Sequence, residues 1–168
     1  MPASSLEVLL VCGIPGAGKT RLGDYLQDRH SFFHVNMEDD AIHSRLWVGG
    51  YPQSASALLR EIAATHQVRR LVVTWGFMPG RDERFVDELV RDGARLVWLD
   101  GDREVALKWF NHRRTVCEKA FHIQMARIAA HDPVRRYQPP VIDPFDKKGQ
   151  FRSLEVRARA VMAARQPG

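Results

Sequence analysis

The chain predicts an α/β fold built on a parallel sheet, and three observations lead there. Five short apolar runs are spaced along 168 residues, amphipathic helical patterns fall between them, and a glycine-rich turn joins the first run to the first helix. The length suits a single domain over residues 1–168, since domains typically hold roughly 100–150 residues. A hydrophobic fraction of 45% and a charged fraction of 27% are ordinary for a soluble globular protein. No apolar run approaches the roughly 20 residues that cross a bilayer, so no membrane association is expected.

The apolar runs are Val8–Cys12, Phe32–Asn36, Leu71–Trp75, Leu96–Leu99 and Pro140–Asp143. Three are nearly continuous in Val, Leu or Ile, as strands buried on both faces of a sheet are. The last is weak, being short and preceded by Pro139. Because the first strand starts at Val8, no signal peptide is expected ahead of it. Helical spacing marks Leu22, Tyr25 and Leu26, then Ala55, Leu58, Leu59, Ile62 and Ala63. It returns at Phe85, Val86, Leu89 and Val90, with Asp82 ahead as a first-turn acid, and at Val105, Ala106, Trp109 and Phe110. Two more helices are marked by Phe121, Met125, Ile128 and Ala129, and by Leu154, Val156, Ala160 and Val161. These aromatic and methionine stripes read as core. Gly49-Gly50-Tyr51-Pro52 and the stretch from Arg135 to Pro140 read as loops, and residues past Arg165 as a frayed end.

The chemistry concentrates in Gly13-Ile14-Pro15-Gly16-Ala17-Gly18-Lys19-Thr20. This matches Gly, four residues, then Gly-Lys-Ser/Thr, with an apolar strand leading in and an amphipathic helix leading out. It is the P-loop pattern in its proper context. Its glycines let backbone N–H groups turn around a phosphate, and the helix N-terminus adds a positive dipole end. Lys19 is expected to reach the β- and γ-phosphates of ATP from a solvent-facing position. Thr20 is expected to place its hydroxyl on Mg²⁺.

Val35-Asn36-Met37-Glu38-Asp39-Asp40 closes the second strand, where ligands bind in open α/β sheets. Acids there hold Mg²⁺ or take a proton from an attacking hydroxyl. One of Asp39 and Asp40 is expected to cap the next helix, which runs through Ile42 and Leu46, and the other to do chemistry. Arg45 lies in that helix. The third strand ends without the acid usual at that place, the Walker B aspartate. After it, Gly76 and Gly80 permit close backbone approach, and Arg81 is placed to meet a substrate or phosphate anion. Arg113 and Arg114 end the helix after strand four and suit a lid, around 112–135, that neutralises a moving phosphoryl group. The net charge of +5 is compatible with phosphorylated ligands and with nucleic acid, but the basic residues form no single block. Cys12 and Cys117 make no disulfide framework, which points to a reduced, cytoplasmic setting, and the seven histidines have no metal-ligand spacing.

On these residues the chain resembles the nucleoside-monophosphate-kinase-like group of P-loop proteins, among them gluconate kinase, shikimate kinase and the kinase domain of polynucleotide kinase. The resemblance runs over nearly the whole chain. It is carried by GIPGAGKT at 13–20, the acids after strand two, the arginines at 113–114, and the final strand and helix. It implies a three-layer fold with five parallel strands in order 2-3-1-4-5, and an adenine held between Arg113 and the loop from Asp143 to Gly149. VNMEDDAIHSRL also resembles the acid-acid-arginine region of polynucleotide kinases at Asn36, Asp39 and Asp40, with Arg45 a residue or two out of register. The three-glycine loop of shikimate kinases and the substrate signature of gluconate kinases are both absent, so the acceptor stays open.

The sequence therefore reads as an ATP- and Mg²⁺-dependent phosphotransferase acting on a hydroxyl of a small metabolite, such as a sugar or sugar acid. Lys19, Asp39, Asp40, Arg113 and Arg114 would carry catalysis. Residues 13–20 and Arg113 would hold the nucleotide, Thr20 and Asp40 the metal, and Asp39, Arg45 and Arg81 the acceptor. A polynucleotide 5′-hydroxyl kinase is the alternative that the positive charge favours. A regulatory nucleotide-binding ATPase with little turnover is the one that the missing Walker B acid favours.

Overall fold

The structure is a computed structural model that describes residues 6–113 and 116–164; Arg114 and the tail past Arg165 lie outside it. In chain order the elements are β1 (Glu7–Gly13), α1 (Lys19–His30), β2 (Phe33–Asn36), α2 (Asp40–His43), β3 (Trp47–Val48), β4 (Tyr51–Pro52) and α3 (Ala55–Thr65). There follow β5 (Arg70–Thr74), α4 (Glu83–Arg91), β6 (Arg95–Leu99), α5 (Arg103–His112), α6 (Glu118–His131), α7 (Pro133–Tyr137), β7 (Val141–Ile142) and α8 (Leu154–Ala163).

Five strands pair in parallel in the order β2-β5-β1-β6-β7, and β3 and β4 form a separate antiparallel hairpin. Without the hairpin, the sheet's own strands run 2-3-1-4-5. The steps β1–α1–β2 and β2–α3–β5 go in opposite directions, so right-handed crossovers put α1 and α3 on opposite faces. The C-terminal helix α8 packs on α1, and α4 packs on α3, giving three layers. Leu9, Leu10, Val11, Leu71, Val72 and Leu96 are fully buried, as central strands covered on both faces must be. The register sets Val11 beside Thr74, Thr74 beside Asn36, and Gly13 beside Leu99, so the strands' carboxyl ends share one edge.

Three local expectations are corrected. The segment Gly49–Pro52, expected as a loop, is the tip and second strand of the hairpin. Gly49 and Gly50 both take positive φ (59° and 80°), which a two-residue hairpin turn requires. Within the stretch from Arg135 to Pro140, Arg135–Tyr137 belong to α7, which starts at Pro133 and is capped by the Asp132 side chain accepting from Arg135 N–H. The helix expected to run through Leu46 stops at His43, and the chain turns there into β3.

Candidate active site

The glycine-rich turn leaves β1 at the carboxyl edge of the sheet and enters α1. At Gly16 φ is 80°, and a Cβ there would lie 2.1 Å from the Ala106 carbonyl oxygen, so the turn closes tightly on α5 and only glycine fits. Gly18 caps α1 in the left-handed region, with no side chain bonded to the first-turn N–H groups and no acid in that turn. The start of this 12-residue helix is therefore open to an anion. Lys19 is buried rather than solvent-facing. Its Nζ donates to Gly13 O (3.2 Å) and Ile14 O (2.8 Å), holding the turn closed. Burial pulls its pKa below the ordinary lysine value, and the charge of Glu38 opposes that.

Two cavities meet at this turn. One, of about 250 Å³, is lined by Lys19, Thr20 and Arg113 together with Glu38 and Gln124. Gln124 Nε2 donates to Gly76 O at 3.2 Å, and a Cβ on Gly76 would lie 2.5 Å from Glu38 Oε1. The bare glycine after β5 thus lets α6 and the Glu38 segment close together. The other cavity, of about 210 Å³, starts from Gly18, Thr20 and Arg113 and runs out to Trp109 and Phe151. The two rings lie 5.0 Å apart, and Trp109 Nε1 donates to Gly149 O at 3.3 Å. Asp146 shapes that loop by accepting from Lys148 N–H (2.8 Å) and Gln150 N–H (3.0 Å), and these bonds hold its carboxyl below the usual carboxylate range.

Of the two neighbouring acids weighed from the sequence, Asp39 is the cap. Its side chain accepts from Ala41 N–H at 2.8 Å. Asp40 opens α2 and is exposed. The acid that lines the cleft beside Lys19 is the third, Glu38. Asp39 instead lines a larger cavity of about 470 Å³ along β2, with Thr20, Asp24, His34 and Arg45. Arg45 pairs with Glu61 at 2.7 Å. Arg81 grips both oxygens of Asp82 at 2.8 Å, and that fully buried carboxylate also accepts from Met78 N–H. Arg113 ends α5, 5.2 Å over the Phe110 ring, and lines both cavities at the P-loop. Helix α6, inside the segment expected to act as a lid, is docked: Arg127 donates to Pro79 O at 3.2 Å and Phe121 packs on Phe110.

Sequence reasoning missed several of these residues. Trp109 and Phe151 were invisible as cavity walls because a core stripe and a ligand-facing ring share the same spacing. Glu38 lies one position before the cap, and no pattern separates the two roles. At the end of β5, where the acid is missing, the Thr74 hydroxyl lies 2.7 Å from His34 Nε2, and His34 Nδ1 lies 2.8 Å from Asp24. A histidine in a strand gives no hint of such a chain. Cys12 and Cys117 are both free, and burial pushes the Cys12 thiol well up. Among the described residues no helix is long and apolar enough to cross a membrane.

No protein-family model and no curated protein matches the chain. Solved structures do. A gluconokinase from Sinorhizobium meliloti 1021 superimposes with a TM-score of 0.54 at 16% identity, over 95% of this chain and 91% of that one. A shikimate kinase from Acinetobacter baumannii, in complex with shikimate, gives 0.59 at 15% identity over 95% and 92%. A tunicamycin resistance protein from Deinococcus radiodurans gives 0.57 at 16% identity over 94% of each. At such identities the likeness speaks to the fold, and the chain has the three-layer α/β fold of the nucleoside-monophosphate-kinase-like P-loop proteins.

Proposed function

We propose that the chain is an ATP- and Mg²⁺-dependent phosphotransferase that moves the γ-phosphoryl group to a hydroxyl of a small, uncharged metabolite. The observation that carries this reading is the cleft that Lys19, Thr20 and Arg113 line together with Glu38 and Gln124. Cations lining it suit the charge that spreads over a transferring phosphoryl group, and a carboxylate in the same cleft suits a hydroxyl that must be oriented and deprotonated. That two of the superimposable proteins are kinases by name adds support.

The roles follow from position. The N–H groups of residues 13–20 and the open start of α1 receive the phosphates, while Lys19 exchanges its carbonyl partners for phosphate oxygens. The adenine lies against Trp109 and Phe151. Arg113, with Arg114, neutralises charge in transit. Glu38 orients the acceptor hydroxyl, next to Asp39 and Asp40.

The donor set fits Mg²⁺. Among the described residues no cluster of three or more His, Cys, Asp or Glu could hold a metal by itself. Nucleotide-bound Mg²⁺ needs only one or two protein oxygens beside phosphates and waters. Thr20 and one acid, Glu38 or Asp40, supply them, and the ion when bound neutralises phosphate charge.

An uncharged acceptor is favoured over a sugar acid because Arg45 and Arg81, the cations placed to hold a carboxylate, already hold Glu61 and Asp82. The free thiols fit a reducing cytoplasm. ATP consumption across neutral sugars and polyols, sugar acids, nucleosides and 5′-hydroxyl oligonucleotides tests the reading. Turnover with a neutral polyol or sugar is expected. Turnover with the oligonucleotides alone would favour the polynucleotide kinase. Tight ATP binding with no acceptor in any class would favour the regulatory protein.

A further inference from the structure

Behind the P-loop lies a cation that the proposed mechanism does not use. Arg157, on α8, is 3% exposed. Its guanidinium sits 4.8 Å over the Phe151 ring, and a Cβ on Gly18 would lie 2.9 Å from its Nη1. Nε donates to Arg152 O at 3.0 Å, while Nη1 has no hydrogen-bond partner. Among the described residues no carboxylate pairs with it. Arg81, by contrast, has the buried Asp82, while Arg159 on α8 has Glu155, and Arg95, which donates to carbonyls at the end of α8, has Glu7. Burial, with Arg21 nearby, pulls the Arg157 pKa down to about 10. A buried charge without a counter-ion is among the costlier features a fold can hold. Its place is informative, since Gly18 belongs to the turn proposed to receive the phosphates.

We propose that Arg157 is a phosphate-binding charge outside the P-loop motif, a buried guanidinium beneath Gly18 whose counter-ion is the phosphate chain of the bound nucleotide. The proposal rests on the nucleotide reading above. Arg157 is a positioning residue. It acts through the field across one layer of backbone and through Phe151, which it backs and which lines the adenine side of the site. Its effect therefore scales with ligand charge. Helix α8 becomes part of the binding apparatus, and the bound phosphates compensate the buried charge.

Titration calorimetry with ATP, ADP and adenosine, on the wild type, Arg157→Met and Arg157→Lys, tests this alongside thermal melts without nucleotide. Arg157→Met is expected to weaken ATP by about tenfold, ADP by less and adenosine by nothing, a grading that only charge produces. Without nucleotide its melting temperature should hold or rise, because an apolar isostere replaces an uncompensated charge. Arg157→Lys should keep most of the ATP affinity, and it reads the charge even if the Met variant folds poorly. Equal weakening of ATP and adenosine, or of neither, overturns the proposal and leaves Arg157 as a packing residue for Phe151. A wild type that binds no nucleotide removes the functional reading itself, whereas a nucleotide-binding wild type with an indifferent Arg157 removes only this inference.

Discussion

Lys19, Glu38 and Asp39 show how closely capping and chemistry are interleaved at the carboxyl edge of the sheet. Asp39 satisfies an orphan N–H of α2, and a capping acid typically contributes about 1 kcal/mol. Asp39→Ala should therefore lower stability by that order and leave kcat close to wild type. Glu38→Gln should do the reverse, with an unchanged melting temperature and a kcat lower by roughly a hundredfold, the usual range for an acid–base group. Steady-state kinetics and melts on the two variants decide it; a catalytic loss confined to Asp39→Ala would reassign the roles. The sequence narrowed this choice to adjacent acids. It could go no further, because the strand ends and the helix begins within two residues, and a shift of one position swaps cap for ligand.

The loops and helix ends that frame the site depend on a few contacts between elements. Gly16 closes the P-loop on α5, and Gly16→Ala would drive a methyl into the Ala106 carbonyl in a backbone region that L-residues avoid. Loss of nucleotide binding with a lowered melting temperature is expected, and an unaffected variant would mean the turn is looser than described. Helix α8 is tied to α1 by Tyr25 Oη donating to Glu155 at 2.5 Å. That bond, with Arg159 beside it, holds the Glu155 carboxyl below its ordinary value of 4.5. A depressed carboxylate stabilises above its unfolded pKa and loses that contribution as pH falls through the folded value. The melting-temperature gap between wild type and Glu155→Gln should therefore be present at pH 6 and shrink as pH falls below the ordinary carboxyl value of 4.5. A gap that persists in acid would show that the tether does not depend on the charge. The helices and strands of this framework were legible from periodicity, since each buries a face. The hairpin was not, because the same Gly-Gly pair ends a loop or turns a ribbon, and only the pairing of Trp47 with Pro52 distinguishes them.

Over the whole molecule, the basic residues are scattered along the chain rather than gathered in one stripe, and some of them are held in ion pairs. Arg45, Arg70, Arg81, Arg95, Arg103 and Arg136 each hold a carboxylate. Charges dispersed and partly paired in this way suit the counterion release of a nucleic-acid backbone less than a single basic stripe does. Binding to a labelled single-stranded oligonucleotide should accordingly be weak at about 150 mM salt, and anisotropy over a salt series measures it. Tight binding at that salt, with a steep slope, would favour the polynucleotide reading. Net charge was readable from the sequence, but its pairing was not, because partners such as Arg81–Asp82 and Arg45–Glu61 depend on tertiary placement. The fold class was readable from strands alternating with helices, the strand order was implied by the resemblance to the nucleoside-monophosphate-kinase-like group, and the tight turn after β1 was readable from the spacing of its glycines. A nucleotide is expected to bind with its phosphates against the turn of residues 13–20. The most direct test is calorimetric titration of ATP with Mg²⁺ into the wild type and Lys19→Met, which keeps the buried volume and removes the charge. One site is expected in the wild type, weakened at least tenfold in Lys19→Met while the melting temperature without nucleotide stays within a few degrees. Equal affinity in the two proteins would contradict it.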